Sequence, residues 1–152
     1  MSLYLVRHAK AGSRSAWVGP DHDRPLTRAG REQADALAVA LAEHPVGRIL
    51  SSTYTRCVET MEPLAVKVGR LVEEVALLEE GSCGAYVVEL LAVLPEHSVA
   101  CSHGDVILAV VDELVRHGMA VDGEPDWRKG SIWLLDRDGD EFVRGVALPP
   151  PA

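Results

Sequence analysis

Long apolar runs, paired cysteines and an excess of cations are all missing from this 152-residue chain. No stretch approaches the ~20 consecutive apolar residues that a bilayer-crossing helix needs. The N-terminal apolar run stops at Arg7, too soon for a secretory signal, so the expected location is cytoplasmic and no membrane partner is implied. Cys57, Cys83 and Cys101 are odd in number and contain no CxxC pair, which argues against both a disulfide framework and a zinc site. Reduced thiols are expected, and no cofactor is indicated. Fifteen Lys and Arg stand against 23 Asp and Glu, a net charge of −8. Such a surface cannot displace counterions from a polynucleotide, so nucleic acid is not an expected partner. A small anion remains possible, provided that a pocket concentrates positive charge locally. Internal repeats, low-complexity blocks and interdomain linkers are absent too, and the length suits one domain with a substantial core.

What is present is an alternation of short apolar runs with longer segments of helical period. Leu3–Val6 predicts a buried strand and Arg48–Ser52 a second. Between them Thr27 is a candidate N-cap for a helix to about Glu43, with Ala34, Leu37, Ala38 and Leu41 on one face. Pro45 and Gly47 close that segment. A second helix is predicted over Thr55–Val68, kinked or split at Pro63. A short strand over Leu71–Leu77 follows, then a third helix over Ala85–Leu94 stopped by Pro95. Ser98–Ser102 predicts another strand and Asp105–His117 an apolar helix ended by Gly118. Ile132–Asp136 and Glu141–Val146, joined at Asp138-Gly139, predict a closing hairpin, with an extended tail over Pro149–Pro151. The expected fold is a three-layer α/β/α arrangement around a mostly parallel sheet, in which sites form beyond the carboxyl ends of strands.

Those ends are unusual. The first strand runs into Arg7-His8, the second leads through Ser51-Ser52 to Arg56, and the fourth ends in Ser102-His103-Gly104-Asp105. One Arg-His pair is ordinarily a solvated strand end. Three strands delivering cationic or cationic-capable groups to one sheet edge are what an anion site requires.

The ordered set Arg7-His8, Pro25-Leu26-Thr27 with Gly30, Ser51–Arg56 with Thr60, and Ser102-His103-Gly104 resembles the histidine phosphatase superfamily over roughly residues 3–105. The small size and Arg7–Ala11 are similar to its SixA-like phosphohistidine phosphatase branch, and also to compact phosphatase domains that accompany Nudix hydrolases. The resemblance implies a phosphoglycerate mutase-like fold and a metal-independent phosphatase. His8 would be the nucleophile, with Arg7, Arg56 and His103 binding the phosphoryl group. Thr53 stands where proline is common, and Glu59 where glutamine is frequent; both departures touch the pocket rim.

Phosphoryl transfer spreads negative charge over three oxygens, and arginine forks suit them better than lysine point charges. His8 needs one neutral ring nitrogen to attack and a carbonyl to orient the other, with neighbouring arginines disfavouring imidazolium. His103 would donate to a phosphoryl oxygen, helped by the helix N-terminus at Gly104. Of Glu79-Glu80, Glu80 is the candidate proton donor to a leaving oxygen, against the alternative of a solvated acidic loop. Within the polar stretch Gly12–Asp23, Arg14 and Trp17 are candidate substrate contacts. Trp127 and Trp133 fit packing roles, and His44, His97 and His117 sit near predicted helix ends.

The expected partner is a phosphorylated small molecule, a nucleotide or sugar phosphate among them, or a phosphohistidine protein. A mutase, a non-catalytic phosphate-binding module and a metal site of His8, His22, His103 and Asp105 are the competing expectations; two arginines beside a dication disfavour the last.

Overall fold

The computed structural model describes residues 1–152. Seven strands form one sheet: β1 (Ser2–Arg7), β2 (Ile49–Ser51), β3 (Val72–Glu74), β4 (Val99–Ser102), β5 (Ala120–Asp122), β6 (Ile132–Asp138) and β7 (Glu141–Leu148), in the order β3-β2-β4-β1-β6-β7-β5. Neighbours in the β3-β2-β4-β1 half are all parallel, and β6 alone runs antiparallel to both its neighbours. Four helices cover the sheet: α1 (Arg28–Leu41), α2 (Thr55–Val68), α3 (Gly84–Ala92) and α4 (Gly104–Arg116).

Alternation along the strands decides which helices go where. Val6, Ile49, Val99 and Cys101 point to one face and pack with Leu37, Leu41, Met61 and Leu64 of α1 and α2. Leu3, Leu5, Leu50 and Ala100 point to the other and pack with Val87, Leu91, Val106 and Val110 of α3 and α4. The result is the expected α/β/α sandwich. Leu50 is fully buried, so truncating it to alanine costs about 2–5 kcal/mol through lost transfer energy and the cavity left behind.

Helix α1 starts where its cap predicts, with the Thr27 hydroxyl accepting from the Gly30 amide at 3.0 Å. Gly30 has no substitute, because a Cβ there would lie 1.9 Å from the Lys10 carbonyl oxygen. That contact lets α1 press against the chain just beyond β1.

Several boundaries differ from expectation. Helix α2 runs through Pro63 unbroken; the missing N–H leaves only the Glu59 carbonyl without its helical donor, while Met61 and Leu64 anchor both sides in the core. The strand expected over Leu71–Leu77 is confined to Val72–Glu74, after which a 3₁₀ turn over Ala76–Leu78 buries Leu78 completely. That turn carries Glu79 and Glu80 back over the strand ends. Strand β5 has no counterpart among the sequence-based expectations: three residues pairing with the edge of β7 carry too little pattern to read. No helix is long and apolar enough to cross a membrane.

Candidate active site

Parallel register brings the three motifs together. Arg7 lies opposite Ser102, and Ser51 opposite Cys101, so each chain leaves the sheet beside the next. The His8 amide donates to the Ser102 carbonyl at 3.1 Å, and the Ala9 amide to the Thr60 hydroxyl at 3.0 Å. The backbone of the nucleophile candidate is thereby tied to β4 and to α2. A cavity of about 540 Å³ opens above it, lined among others by Arg7, His8, Arg14, Arg56, Glu80 and His103.

Within it, His8 is 5% exposed and its Nδ1 lies 2.8 Å from the Ala9 carbonyl oxygen. With Nδ1 donating there, Nε2 carries the free lone pair and has no protein partner. Burial holds His8 far below an ordinary imidazole, at about 3; the Ala9 carbonyl opposes this, and His103, Arg56 and Arg7 add to it. The neutral ring required for attack is therefore set first by desolvation and only secondarily by the arginines.

His103 stands with its ring centroid 5.4 Å from that of His8. Its Nε2 is anchored by the Ser52 hydroxyl at 2.9 Å, with Cys57 Sγ at 3.5 Å. Its Nδ1 is buried without a hydrogen-bond partner; Glu80 Oε1 is 3.4 Å away, off the line of an N–H donor. The free nitrogen is thus aimed by the tethered one.

Arg56 has a fully buried side chain. Nη2 reaches Glu80 Oε1 at 2.7 Å and Asp21 Oδ2 at 3.1 Å, Nη1 reaches the Asp21 carbonyl at 3.0 Å, and the guanidinium lies 4.9 Å from the Tyr54 ring centroid. Arg7 donates through Nη1 to the Trp127 carbonyl at 2.5 Å, leaving Nε buried and unpartnered. Desolvation lowers its proton affinity, against the opposing charge of Asp105. Its guanidinium lies across the start of α4, where a Cβ on Gly104 would meet Arg7 Cζ at 3.0 Å. Glycine at that position lets the guanidinium lie directly against the N-terminus of the helix.

Glu80 is a pocket residue, with a single oxygen, Oε1, contacting Arg56, Arg14 (3.1 Å) and His103. Arg14 lines the cavity from an exposed loop. Trp17 does not line it: its Nε1 donates to the Pro20 carbonyl at 2.9 Å, and the ring borders a smaller pocket with Ala16 and Pro25. His8, His22, His103 and Asp105 do not converge into a metal-holding cluster. Trp133 is buried under Trp127, their centroids 5.3 Å apart.

Four contributors escaped the sequence reading. Asp21 bridges Arg24 and Arg56; Arg24, almost fully buried, also donates to the Gly12 carbonyl; Ser52 anchors His103; and Lys129 lines the cavity from the loop before β6. Ser52 lies inside the Ser51–Arg56 motif, which gave it no role of its own, and Arg24 directly precedes Pro25-Leu26-Thr27; Asp21 and Lys129 belong to no recognised motif. The two departures from the common pattern both have tasks. The Thr53 hydroxyl donates to Glu79 Oε2 at 2.5 Å and contacts His22 Nε2 at 2.9 Å, linking two rim loops as proline could not. Glu59 Oε1 accepts from the Leu26 amide at 2.9 Å.

Residues 3–90 match the model of the histidine phosphatase superfamily (branch 1). The chain belongs to the histidine phosphatase superfamily. It is 32% identical over 157 aligned positions to the 8-oxo-(d)GTP phosphatase of Mycolicibacterium smegmatis, an alignment covering 99% of this chain and 48% of the relative. It therefore spans about half the length of that protein. In fold it resembles the protein histidine phosphatase SixA complexed with tungstate (TM-score 0.81, 20% identity, 99% and 97% of the two chains covered). A mycobacterial glucosyl-3-phosphoglycerate phosphatase complexed with VO3 is also similar (TM-score 0.66, 19% identity, 89% and 92%).

Proposed function

We propose that this chain hydrolyses phosphate esters through a covalent phospho-His8 intermediate without a metal. The observation that carries the proposal is the free His8 Nε2 in a cavity shared with Arg7, Arg56 and the unpartnered His103 Nδ1. In the first step the Nε2 lone pair forms the P–N bond while the bond from phosphorus to the leaving oxygen breaks. Arg7, Arg56, His103 and the Gly104 helix start hold the three phosphoryl oxygens, supplying preorganised charge where it develops. Glu80, displaced from Arg56 by the incoming phosphoryl, takes a proton from solvent as it leaves the arginines and delivers it to the leaving oxygen. In the second step water attacks phosphorus, the P–N bond breaks, Glu80 takes the water proton, and His8 and orthophosphate are released.

Brief exposure to a reactive phosphoryl donor, quenched in base, should leave an acid-labile phosphate on the His8 peptide by mass spectrometry. Label elsewhere, or full turnover by His8→Ala, overturns the mechanism. The role of Glu80 has its own test: Glu80→Gln should slow alkyl phosphates far more than aryl phosphates, whose phenols depart without a proton. A flat response across that series removes Glu80 from the proton path.

For substrate, a small phosphorylated molecule, with nucleotides foremost, is favoured by the similarity to a nucleotide phosphatase along 99% of this chain and by the acid at the pocket floor. A protein phosphohistidine, the reading nearest the SixA resemblance, is the second candidate. A substrate panel containing a phosphohistidine peptide and nucleoside phosphates separates them by kcat/KM.

A further inference from the structure

The cavity extends past the groups that grip one phosphoryl. Its lining includes five formal cations, Arg7, Arg14, Arg24, Arg56 and Lys129, against two acids, Glu80 and Asp105, in a chain of net charge −8. Its volume of about 540 Å³ falls within the roughly 300–1,000 Å³ typical of small-molecule sites and leaves ample room beside a phosphoryl group.

Three of the cations are already matched: Arg56 and Arg14 by Asp21 and Glu80, and Arg24 by Asp21. Arg7 is committed to the transferred phosphoryl. That leaves Lys129, which forms no ion pair and is half-buried.

Its place is fixed by backbone. The Lys129 carbonyl accepts from Gln33 Nε2 at 3.2 Å, and the next amide, that of Gly130, donates to the Arg7 and His8 carbonyls at 3.1 and 3.2 Å. Gly130 adopts φ +83°, and a Cβ there would meet Gln33 Nε2 at 3.0 Å, so the loop's course depends on glycine. Lysine is thereby pinned one residue from the strand end that presents the nucleophile. Its proton affinity is lowered, first by burial and then by the charges of Arg7, Arg24, Arg56 and Arg14. An ammonium held in that positive field without a counterion is unfavourable until an anion arrives.

We propose that Lys129 binds a second phosphate of the substrate, beside the phosphoryl that is transferred, so that the preferred substrates are small molecules carrying two or more phosphates. This rests on the phosphatase reading of the cavity, but it concerns occupancy, which can be measured without turnover.

Calorimetric titration of the whole chain with methylenediphosphonate and with methylphosphonate provides the test. The wild type should bind the diphosphonate at least about ten-fold more tightly, Lys129→Met should lose most of that preference, and Lys129→Arg should keep it. Equal affinity for both probes in the wild type, or a preference that survives in Lys129→Met, overturns the proposal. Absence of phospho-His8 would defeat the covalent mechanism while leaving these titrations interpretable.

Steady-state kinetics then identifies the carrier, with a nucleoside 5′-diphosphate and a hexose bisphosphate each compared with its monophosphate. A ten-fold fall in kcat/KM caused by Lys129→Met for one bisphosphorylated substrate, and a smaller fall for its monophosphate, supports the subsite and names its source. Equal falls within both pairs overturn it, as does a phosphohistidine peptide that outperforms both.

Discussion

The floor and the rim of the cavity are built differently. On the floor, His8, His103 and the Gly104 amide continue directly from β1 and β4, and each ring has one nitrogen tethered, to Ala9 or to Ser52. On the rim, Arg14 and Lys129 come from loops, and Arg14 has a side chain that is 65% exposed. Strand ends hold geometry because the sheet fixes them; loops hold it only where something ties them down, as Thr53, Gln33 and Gly130 do. On the proposed mechanism, chemistry belongs to the floor and selection among substrates to the rim.

The largest expected effect tests the floor. His8→Ala should reduce kcat by more than about a thousandfold, because the covalent route is removed while binding persists; single-turnover kinetics checks it. Next comes Arg56→Ala, with a loss of about 10²–10³ in kcat as one preorganised donor disappears. Circular dichroism must accompany that measurement, since Asp21 and Glu80 lose a buried partner.

A third prediction concerns stability instead of rate. The folded imidazole of His8 sits at about 3, below its ordinary value of 6.5, so in the pH window between these values the unfolded chain binds a proton that the folded chain refuses. The His8 contribution is fully present above pH 6.5 and is lost progressively as pH falls toward 3, by up to a few kcal/mol at ~1.4 kcal/mol per unit. Urea melts across that range should show the slope, and His8→Asn should flatten it. The smallest effect belongs to the rim: Arg14→Ala should raise KM a few-fold and leave kcat nearly intact, since a largely exposed ion pair is worth roughly 0–1 kcal/mol. A kcat collapse in that variant would erase the distinction between floor and rim.

The same distinction governs what was legible in the sequence. Arg7, His8, Arg56, His103 and Gly104 could be placed because each follows a strand or starts a helix whose pattern is strong, and parallel strands must end side by side. Asp21, Arg24 and Lys129 could not, because their positions depend on where long loops fold back, and no periodicity encodes that. Trp17 shows the converse: sequence proximity to His8 did not bring it to the cavity, because the loop turns its indole toward Pro20. The shortened third strand had a similar cause. The residues past Glu74 are again apolar, Val75-Ala76-Leu77-Leu78, but burying Leu78 required the chain to leave the sheet.

The contact of Glu80 Oε1 with Arg56, Arg14 and His103 has a kinetic consequence at the end of the cycle. Five clustered cations would retain orthophosphate long after the chemistry is over, and turnover would stall on its departure. Once Glu80 has passed on the proton it took from water, its carboxylate can reclaim the same donors and compete with the departing ion at a concentration set by its own short tether. On the proposed mechanism, escape of product is thereby hastened by the same side chain that an arriving substrate has to push aside.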